Sequence, residues 1–375
     1  MTRIKLKDIA VENKERVDNP SQSSYDVFVG LEHYDSGEMS IRRYGSTERL
    51  ESTMKVFHAG DILIARRNVY LKRAATVNFD GLTSGDSIVL HIENETYRRI
   101  MPFVLNTDEF WNYANQHADG SMSKRLSPKL LMEYEFSLPE NNIEKASDIL
   151  WAMERVKNAY RELIVRTDDL VKSQFIEMFG DPIENSMRWV MMPLNESCQL
   201  LTGNTPSRKK PEYYGSFMEW IKSDNISSSS IFLSEAAERL SESGAAVGRV
   251  VGPGTILMTC IAGSLNTIGN VAVVDRSVAF NQQINALVPQ KYETMVLYYL
   301  LQLIRSQLHE ATNSALKCIL NKGTLGSIRT IVPDKNRQKA FAMLAEQNDK
   351  SKFAAQQTLK KLTDAQKALM KKIFE

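Results

Sequence analysis

Cysteine is scarce. Cys198, Cys260 and Cys318 are the only three in 375 residues, odd in number and far apart. They support neither a disulfide framework nor a zinc site, which implies a reducing, cytoplasmic setting. The five histidines, His33, His58, His91, His117 and His309, are scattered and offer no clustered metal ligands. No apolar run reaches membrane-spanning length; the nearest, residues 247–264, is broken by Arg249, Pro253 and several glycines. The start, Met1-Thr2-Arg3-Ile4-Lys5-Leu6-Lys7, leads into polar sequence without a signal-peptide core. No glycine is followed by lysine, which excludes a phosphate loop of the Walker type. A Gly-x-Ser-x-Gly elbow and a His-Glu-x-x-His pair are also missing. So is the Asn/Asp-Pro-Pro-aromatic signature of an adenine methyltransferase; Asp18-Asn19-Pro20-Ser21 reads as a turn instead. No catalytic constellation remains, although scattered carboxylates could still hide a nuclease site.

Charge of one sign is also missing. The net charge is +2. It divides as −3 over residues 1–140, −3 over 141–185, +3 over 186–333 and +5 over 334–375. No segment has the basic excess of a simple phosphate binder, so any contact with nucleic acid must come from local clusters or from partners. With 43% hydrophobic and 25% charged residues the composition is globular, and the length suits two or three domains.

What is present is a repeat. Gly60-Asp61-Ile62-Leu63-Ile64-Ala65 resembles Gly254-Thr255-Ile256-Leu257-Met258-Thr259, and Leu138-Pro139 resembles Val332-Pro333, both at an offset of 194. Val29-Gly30-Leu31-Glu32 resembles Ile221-Lys222-Ser223-Asp224 at an offset of 192. An ordered series at near-constant spacing marks an internal duplication. Each copy opens with about 140 residues of short strands and turns. Residues 57–65 and 250–260 read as a glycine turn followed by a buried strand, and Val271-Ala272-Val273-Val274 as another strand. Residues 98–118 and 292–308 read as helices, giving α+β domains.

Each copy closes with a long helix. In the first, Ile149, Met153, Val156, Tyr160, Leu163, Thr167 and Leu170 step by four and three. In the second, Phe341, Leu344, Asn348, Ser351, Ala355, Thr358, Leu362, Ala365 and Leu369 do the same. Such spacing is a heptad seam. Phe179-Gly180-Asp181-Pro182 ends the first helix, glycine capping it and proline forbidding continuation. The helices either pack on their own domains or pair with each other. Their length and opposite charge favour pairing, while Asn348, Ser351 and Thr358 leave the second seam too polar for a strong free-standing dimer. Paired antiparallel as rods of roughly 50 Å, they would give the chain an approximate internal two-fold axis.

Several stretches resemble the specificity subunits of Type I restriction–modification enzymes. They are Phe57-His58-Ala59-Gly60-Asp61-Ile62-Leu63 with Arg66-Arg67-Asn68-Val69-Tyr70-Leu71-Lys72, then Phe175-Ile176-Glu177-Met178-Phe179-Gly180-Asp181-Pro182. Thr202-Gly203-Asn204-Thr205-Pro206-Ser207, Trp220-Ile221-Lys222-Ser223-Asp224-Asn225-Ile226 and Ala315-Leu316-Lys317-Cys318-Ile319-Leu320-Asn321-Lys322-Gly323 complete the series. One departure is visible: where family helices often open with Pro, three residues and Glu-Gln, this chain has Glu144-Lys145 and Gln338-Lys339. The resemblance implies a first target-recognition domain over 1–140, a spacer helix over 141–182, a second recognition domain over 183–333 and a second spacer helix over 334–375, the helices pairing as an antiparallel coiled coil. It implies a chain that reads a bipartite site in double-stranded DNA and has no catalysis or cofactor of its own, helix length setting the gap between half-sites. It also implies two modification subunits, which bind S-adenosylmethionine and methylate adenine, clasping the paired helices, with translocating endonuclease subunits joining them.

The candidate DNA contacts form polar, basic clusters. Arg66, Arg67, Lys72 and Arg73 follow a strand and flank Tyr70, and Lys124 and Arg125 sit near a Gly-Ser turn. Arg208, Lys209, Lys210 and Lys222, then Lys317 and Lys322, lie in the second domain. Lys and Arg neutralise phosphates, and Arg pairs bidentately with guanine. Asn281-Gln282-Gln283 could read adenine, but reads better as a structural turn; Arg42-Arg43 could reach phosphate or simply finish a hairpin. Two other readings stay open: a fused methyltransferase–nuclease, against which the missing motifs argue, and a coiled-coil scaffold, which leaves two dissimilar domains without a purpose.

Overall fold

The computed structural model describes residues 2–120, 123–139, 142–227, 230–313 and 318–374. It divides into two compact units, Met1–Arg161 with Gln356–Glu375, and Glu162–Ala355. Each long helix is therefore shared between them.

In the first unit, Val11–Glu12, Ser87–His91, Ile62–Ala65 and Ala74–Thr76 form an antiparallel sheet in that order. A second sheet runs Arg16–Val17, Met54–Phe57, Gly81–Thr83, Val27–Val29, Gly45–Ser46, with Val27–Val29 parallel to Gly81–Thr83. A ribbon of Thr2–Lys5 and Glu135–Leu138 closes it. The second unit repeats this plan. Cys198–Thr202, Ile284–Pro289, Ile256–Thr259 and Val271–Val273 form the antiparallel sheet, and Tyr214–Ile221 runs parallel to Val278–Phe280 in the other. Val190–Pro193 and Arg329–Val332 make the ribbon.

The glycine turns explain why the repeat was readable. Gly60 and Gly254 sit at φ 96° and 85°, where a Cβ is strained. Their amides donate to Val77 and Val274 carbonyls, each at 2.8 Å. The strands that follow are buried on both faces. Ile62 and Ile64 pack with Ile100 and Phe103, whereas Leu63 and Ala65 pack with Val29, Phe57 and Val89. Ile256 and Met258 face Val296 and Leu300 while Leu257 faces Val278 and Phe280. A strand covered on both sides reads as a continuous apolar run.

The helices over 98–118 and 292–308 are each broken in two. Glu95–Val104 stops, and Thr107 caps Asp108–Gln116 by accepting from the Phe110 amide at 3.2 Å. Thr294–Leu303 likewise gives way to Arg305–Glu310 at Ile304.

The long helices are Ile143–Phe179 and Lys335–Phe374. Gly180, at φ 76°, closes the first by donating its amide to the Ile176 carbonyl at 2.8 Å. They pack together antiparallel. In the first unit Ala146 and Leu150 share a cluster with Met370 and Phe374, and Lys157 Nζ donates to Gln366 Oε1 at 2.7 Å. In the second, Lys352 Nζ lies 2.7 Å from both Asp168 oxygens, and Phe341 meets Phe175 and Phe179 edge-on at 5.3 and 5.5 Å. The first seam, however, follows expectation only in part: Met153, Tyr160 and Thr167 are half-buried, but the alternate positions are not. Ile149, Val156, Leu163 and Leu170 are 44–51% exposed. The packed face carries Ala146, Leu150, Glu154 and Lys157, then Val171, Phe175 and Phe179. Apolar spacing found a real stripe but set it to one side of the packed face, because the middle of the buried row is ionic.

Candidate nucleic-acid interface

In the first unit two sequence clusters become one. After Ile62–Ala65 the chain runs beside residues 124–126, with Leu126 N donating to Arg66 O at 2.9 Å and Asn68 N to Lys124 O at 2.8 Å. Arg67 and Arg125 are bridge partners across this pair. Like charges in that position repel, and Asp86 sits between them. Its carboxylate is 3.5 Å from Arg67 Nη1 and 3.3 Å from Arg125 Nη2. Arg67 Nε also donates to Ser123 Oγ at 2.9 Å, and Ser123 Oγ donates to Asn68 Oδ1 at 3.2 Å. Lys124, Arg67 and Arg125 are exposed.

Their sequence neighbours are engaged elsewhere. Arg73 donates to the Leu31 and Arg67 carbonyls at 2.9 and 3.1 Å, clipping the loop, and burial pulls its pKa below the usual value. Lys72 pairs with Asp108 at 2.6 Å; their hydrogen bond lowers the Asp108 pKa. Arg66 is half-buried, and its Nε has no hydrogen-bond partner among the described residues.

The same junction exists in the second unit at an offset of 194. Ile261 pairs with Ile319, and Leu320 N donates to Cys260 O at 2.9 Å. Lys322, exposed, opens the short helix Lys322–Ser327 beside this junction. Lys317 lies outside the described residues.

The second unit's remaining cations gather around a different loop. Gly203 begins it and must be glycine, since a Cβ there would lie 2.1 Å from the Asn281 carbonyl oxygen. Arg208 and Lys222 both pair with Glu238. The Arg208 guanidinium lies 4.3 Å from the Tyr214 ring centroid and 5.1 Å from that of Trp220, and Lys222 Nζ is 5.1 Å from Trp220. The hydrogen bond from Arg208, followed by that from Lys222, outweighs burial and holds the Glu238 pKa below its ordinary value. Lys210 Nζ stands 5.2 Å from the Tyr213 ring, and Lys209 is exposed. Cation–aromatic stacking fixes orientation while leaving N–H donors at the edge.

The amide-rich and hairpin candidates make contacts within the chain. Asn281 is buried and accepts from Gln283 N at 3.0 Å, as a turn requires. Arg42 faces Asn158 and the buried Glu154. Arg43 pairs with Asp35 at 2.7 Å. Sequence reasoning missed Asp86, Glu238, Tyr214 and Trp220. Nothing in the spacing marked the two carboxylates; Trp220, next to Lys222, was the available signal.

Among the described residues no three His, Cys, Asp or Glu side chains converge as metal ligands, and no helix is long and apolar enough to cross a membrane. Burial pushes the Cys198 thiol up to about 12 and the Cys260 thiol to about 11, so neither offers a ready thiolate.

Residues 187–363 match the family described as Type I restriction modification DNA specificity domain. A stretch of 153 residues is 27% identical to the Type I restriction enzyme HindI specificity subunit of Haemophilus influenzae. Residues 187–363 thus carry a Type I restriction modification DNA specificity domain. The HindI match covers 39% of this chain and 32% of that relative, so it spans about a third of the relative's length. Two solved structures match the fold over nearly the whole chain. The S subunit of a Type I system from M. genitalium has a TM-score of 0.58 at 12% identity, covering 100% of this chain and 96% of that one. A chain solved in work on complex assembly and conformational transition of the type I R-M system has a TM-score of 0.51 at 19% identity, covering 99% and 97%. At such identities the likeness concerns architecture. The basic clusters rest on this chain's own residues.

Proposed function

We propose that this chain reads a two-part target in double-stranded DNA, each repeat presenting its basic cluster to one part, and that it performs no chemistry itself. The observation that carries this reading is the duplicated sheet-and-ribbon plan, with cations in each copy gathered on a carboxylate. In the first copy these are Arg67 and Arg125, with Lys124 beside them; in the second, Arg208 and Lys222, with Lys209 and Lys210 nearby. Residues 1–140 and 183–333 serve as the recognition domains, and 141–182 and 334–375 as spacer helices.

Modification subunits that methylate the DNA dock on the helices, and translocating endonuclease subunits join them. The exposed seam supports this: Ile149 and Val156 in the first unit, Leu163 and Leu170 in the second, present apolar surface to solvent at heptad spacing. The partners supply the charge that a chain of net +2 lacks.

Lys209→Ala with Lys210→Ala tests the contact. Each phosphate neutralised contributes about 0.9 to the slope of log affinity against log salt. The slope of the assembled methyltransferase on its DNA target is expected to fall by about two, with the preferred sequence unchanged. An unaltered slope would place both lysines off the DNA.

A further inference from the structure

We propose that Asp86 is a positioning residue for guanine readout. It holds Arg67 and Arg125 so that one or both guanidinium forks meet the O6 and N7 edge of a guanine in the half-site read by the first unit. This rests on the DNA-recognition reading above and says which chemical group that unit seeks.

The reason is the price a carboxylate imposes. Two arginines on opposed bridge positions would bind phosphate best if left alone; a carboxylate between them repels phosphate and cancels one positive charge. Its presence makes sense where direction matters more than charge. Asp86 is itself anchored. It lies in the turn between Gly81–Thr83 and Ser87–His91, its carbonyl accepts from Arg66 N at 2.9 Å and its amide donates to Ser84 Oγ at 3.3 Å. Its side chain is 26% exposed, against 45% and 50% for Arg67 and Arg125. The anchor is thus recessed and the arginines project. Ser123 steers Arg67 through Nε, and Asn68, at φ 55°, holds Ser123. A guanidinium has five N–H donors, so contacts to Asp86 and Ser123 leave donors for a base. Guanine offers paired acceptors matched to such a fork, and lysine cannot imitate it. Glu238 holds Arg208 and Lys222 in the second unit by the same device.

The test uses the chain assembled with its modification subunits. Target duplexes carry 7-deazaguanine, which lacks the N7 acceptor, at each guanine in turn. The first unit's half-site is the one that persists when residues 186–333 are exchanged. The wild-type complex is expected to lose roughly 5- to 150-fold in affinity at one or two guanines of that half-site. Asp86→Asn is expected to shrink that penalty several-fold and to raise affinity for unrelated DNA, since a negative charge is gone. Arg125→Lys, which preserves charge, is expected to shrink the penalty without changing the salt slope. A merely structural Asp86 would leave the penalty in place, whatever the lost charge does to binding of unrelated DNA. Sequence-specific binding with no guanine dependence in this half-site overturns the inference alone. Penalties unchanged in both variants do the same. Absence of any sequence-specific binding by the wild-type complex overturns the inference and the DNA reading together.

Discussion

Glu154→Leu is expected to destabilise the first unit by about 3–5 kcal/mol, the cost of stripping one partner from a buried ion pair. Glu154 and Lys157 are 1% and 2% exposed and 2.8 Å apart, and Lys157 also donates to Gln366 Oε1 at 2.7 Å. Gln366 Nε2 returns to the Leu150 carbonyl at 3.3 Å, tying the second long helix to the first. Arg161 reaches Glu154 at 3.2 Å and also pairs with Glu38. Without the carboxylate, the Lys157 ammonium keeps the neutral Gln366 amide as its hydrogen-bond partner. The pH dependence has a definite sign. Burial would raise the wild-type Glu154 pKa, but Lys157, then Arg161 and Gln366, overcome it and hold the pKa below its ordinary value. The unfolded chain therefore binds the proton more readily, and this contribution is lost as pH falls through the folded-state pKa. In Glu154→Leu that acidic loss disappears. Denaturant titrations at acidic and neutral pH check that sign. Replacing the trio together, Glu154→Leu, Lys157→Met and Gln366→Leu, should recover most of the stability, because an apolar layer leaves no charge unpaired. A single variant as stable as wild type at every pH would mean the pair is hydrated in solution.

Exchanging residues 186–333 for the matching segment of another chain that carries this specificity domain is expected to replace one half of the methylated motif and leave the other half untouched. The segment carries both strands of its ribbon, Val190–Pro193 and Arg329–Val332, and both its sheets, so it transfers as a folded piece. Its junctions fall in the turn opened by Asp181, whose Oδ1 accepts from Ile183 N at 2.7 Å, and just before Lys335–Phe374. The cost lies where the segment meets the helices. Tyr299 packs on Phe341 at 5.6 Å within a cluster that holds Phe175 and Phe179. A donor that lacks apolar residues there would lose several kcal/mol and should carry this chain's residues at those contacts. Sequencing the methylated sites of a host expressing the hybrid reads the outcome. Change in both halves, or in neither, would mean that the two repeats do not read independently.

The duplication was legible because its markers are local. A glycine turn into a strand buried on both faces writes itself as Gly60-Asp61-Ile62-Leu63 and again as Gly254-Thr255-Ile256-Leu257. The helices were legible in length for the same reason. Their buried face was not, since Glu154 and Lys157 occupy the packed side and leave Ile149 and Val156 to solvent. A periodic pattern locates a stripe but does not say what covers it. The site was legible in parts. Arg66-Arg67 and Lys124-Arg125 stood out as separate clusters, and only the pairing of residues 66–68 with 124–126 joins them. Arg73 looked equivalent to Arg67, yet its donors go to the Leu31 and Arg67 carbonyls, a distinction set by loop geometry. Asp86 and Glu238 were hidden because a carboxylate's partners lie far off in sequence.

The central claim is that this chain alone sets which DNA sequence its complex recognises. Genome-wide mapping of methylated adenines, in a host carrying the gene and in the same host with only this gene deleted, tests it most directly. The account predicts one interrupted motif, two short specified halves around an unspecified gap, present in the first host and absent in the second. A motif that survives the deletion, or an uninterrupted one that vanishes with it, would contradict the account.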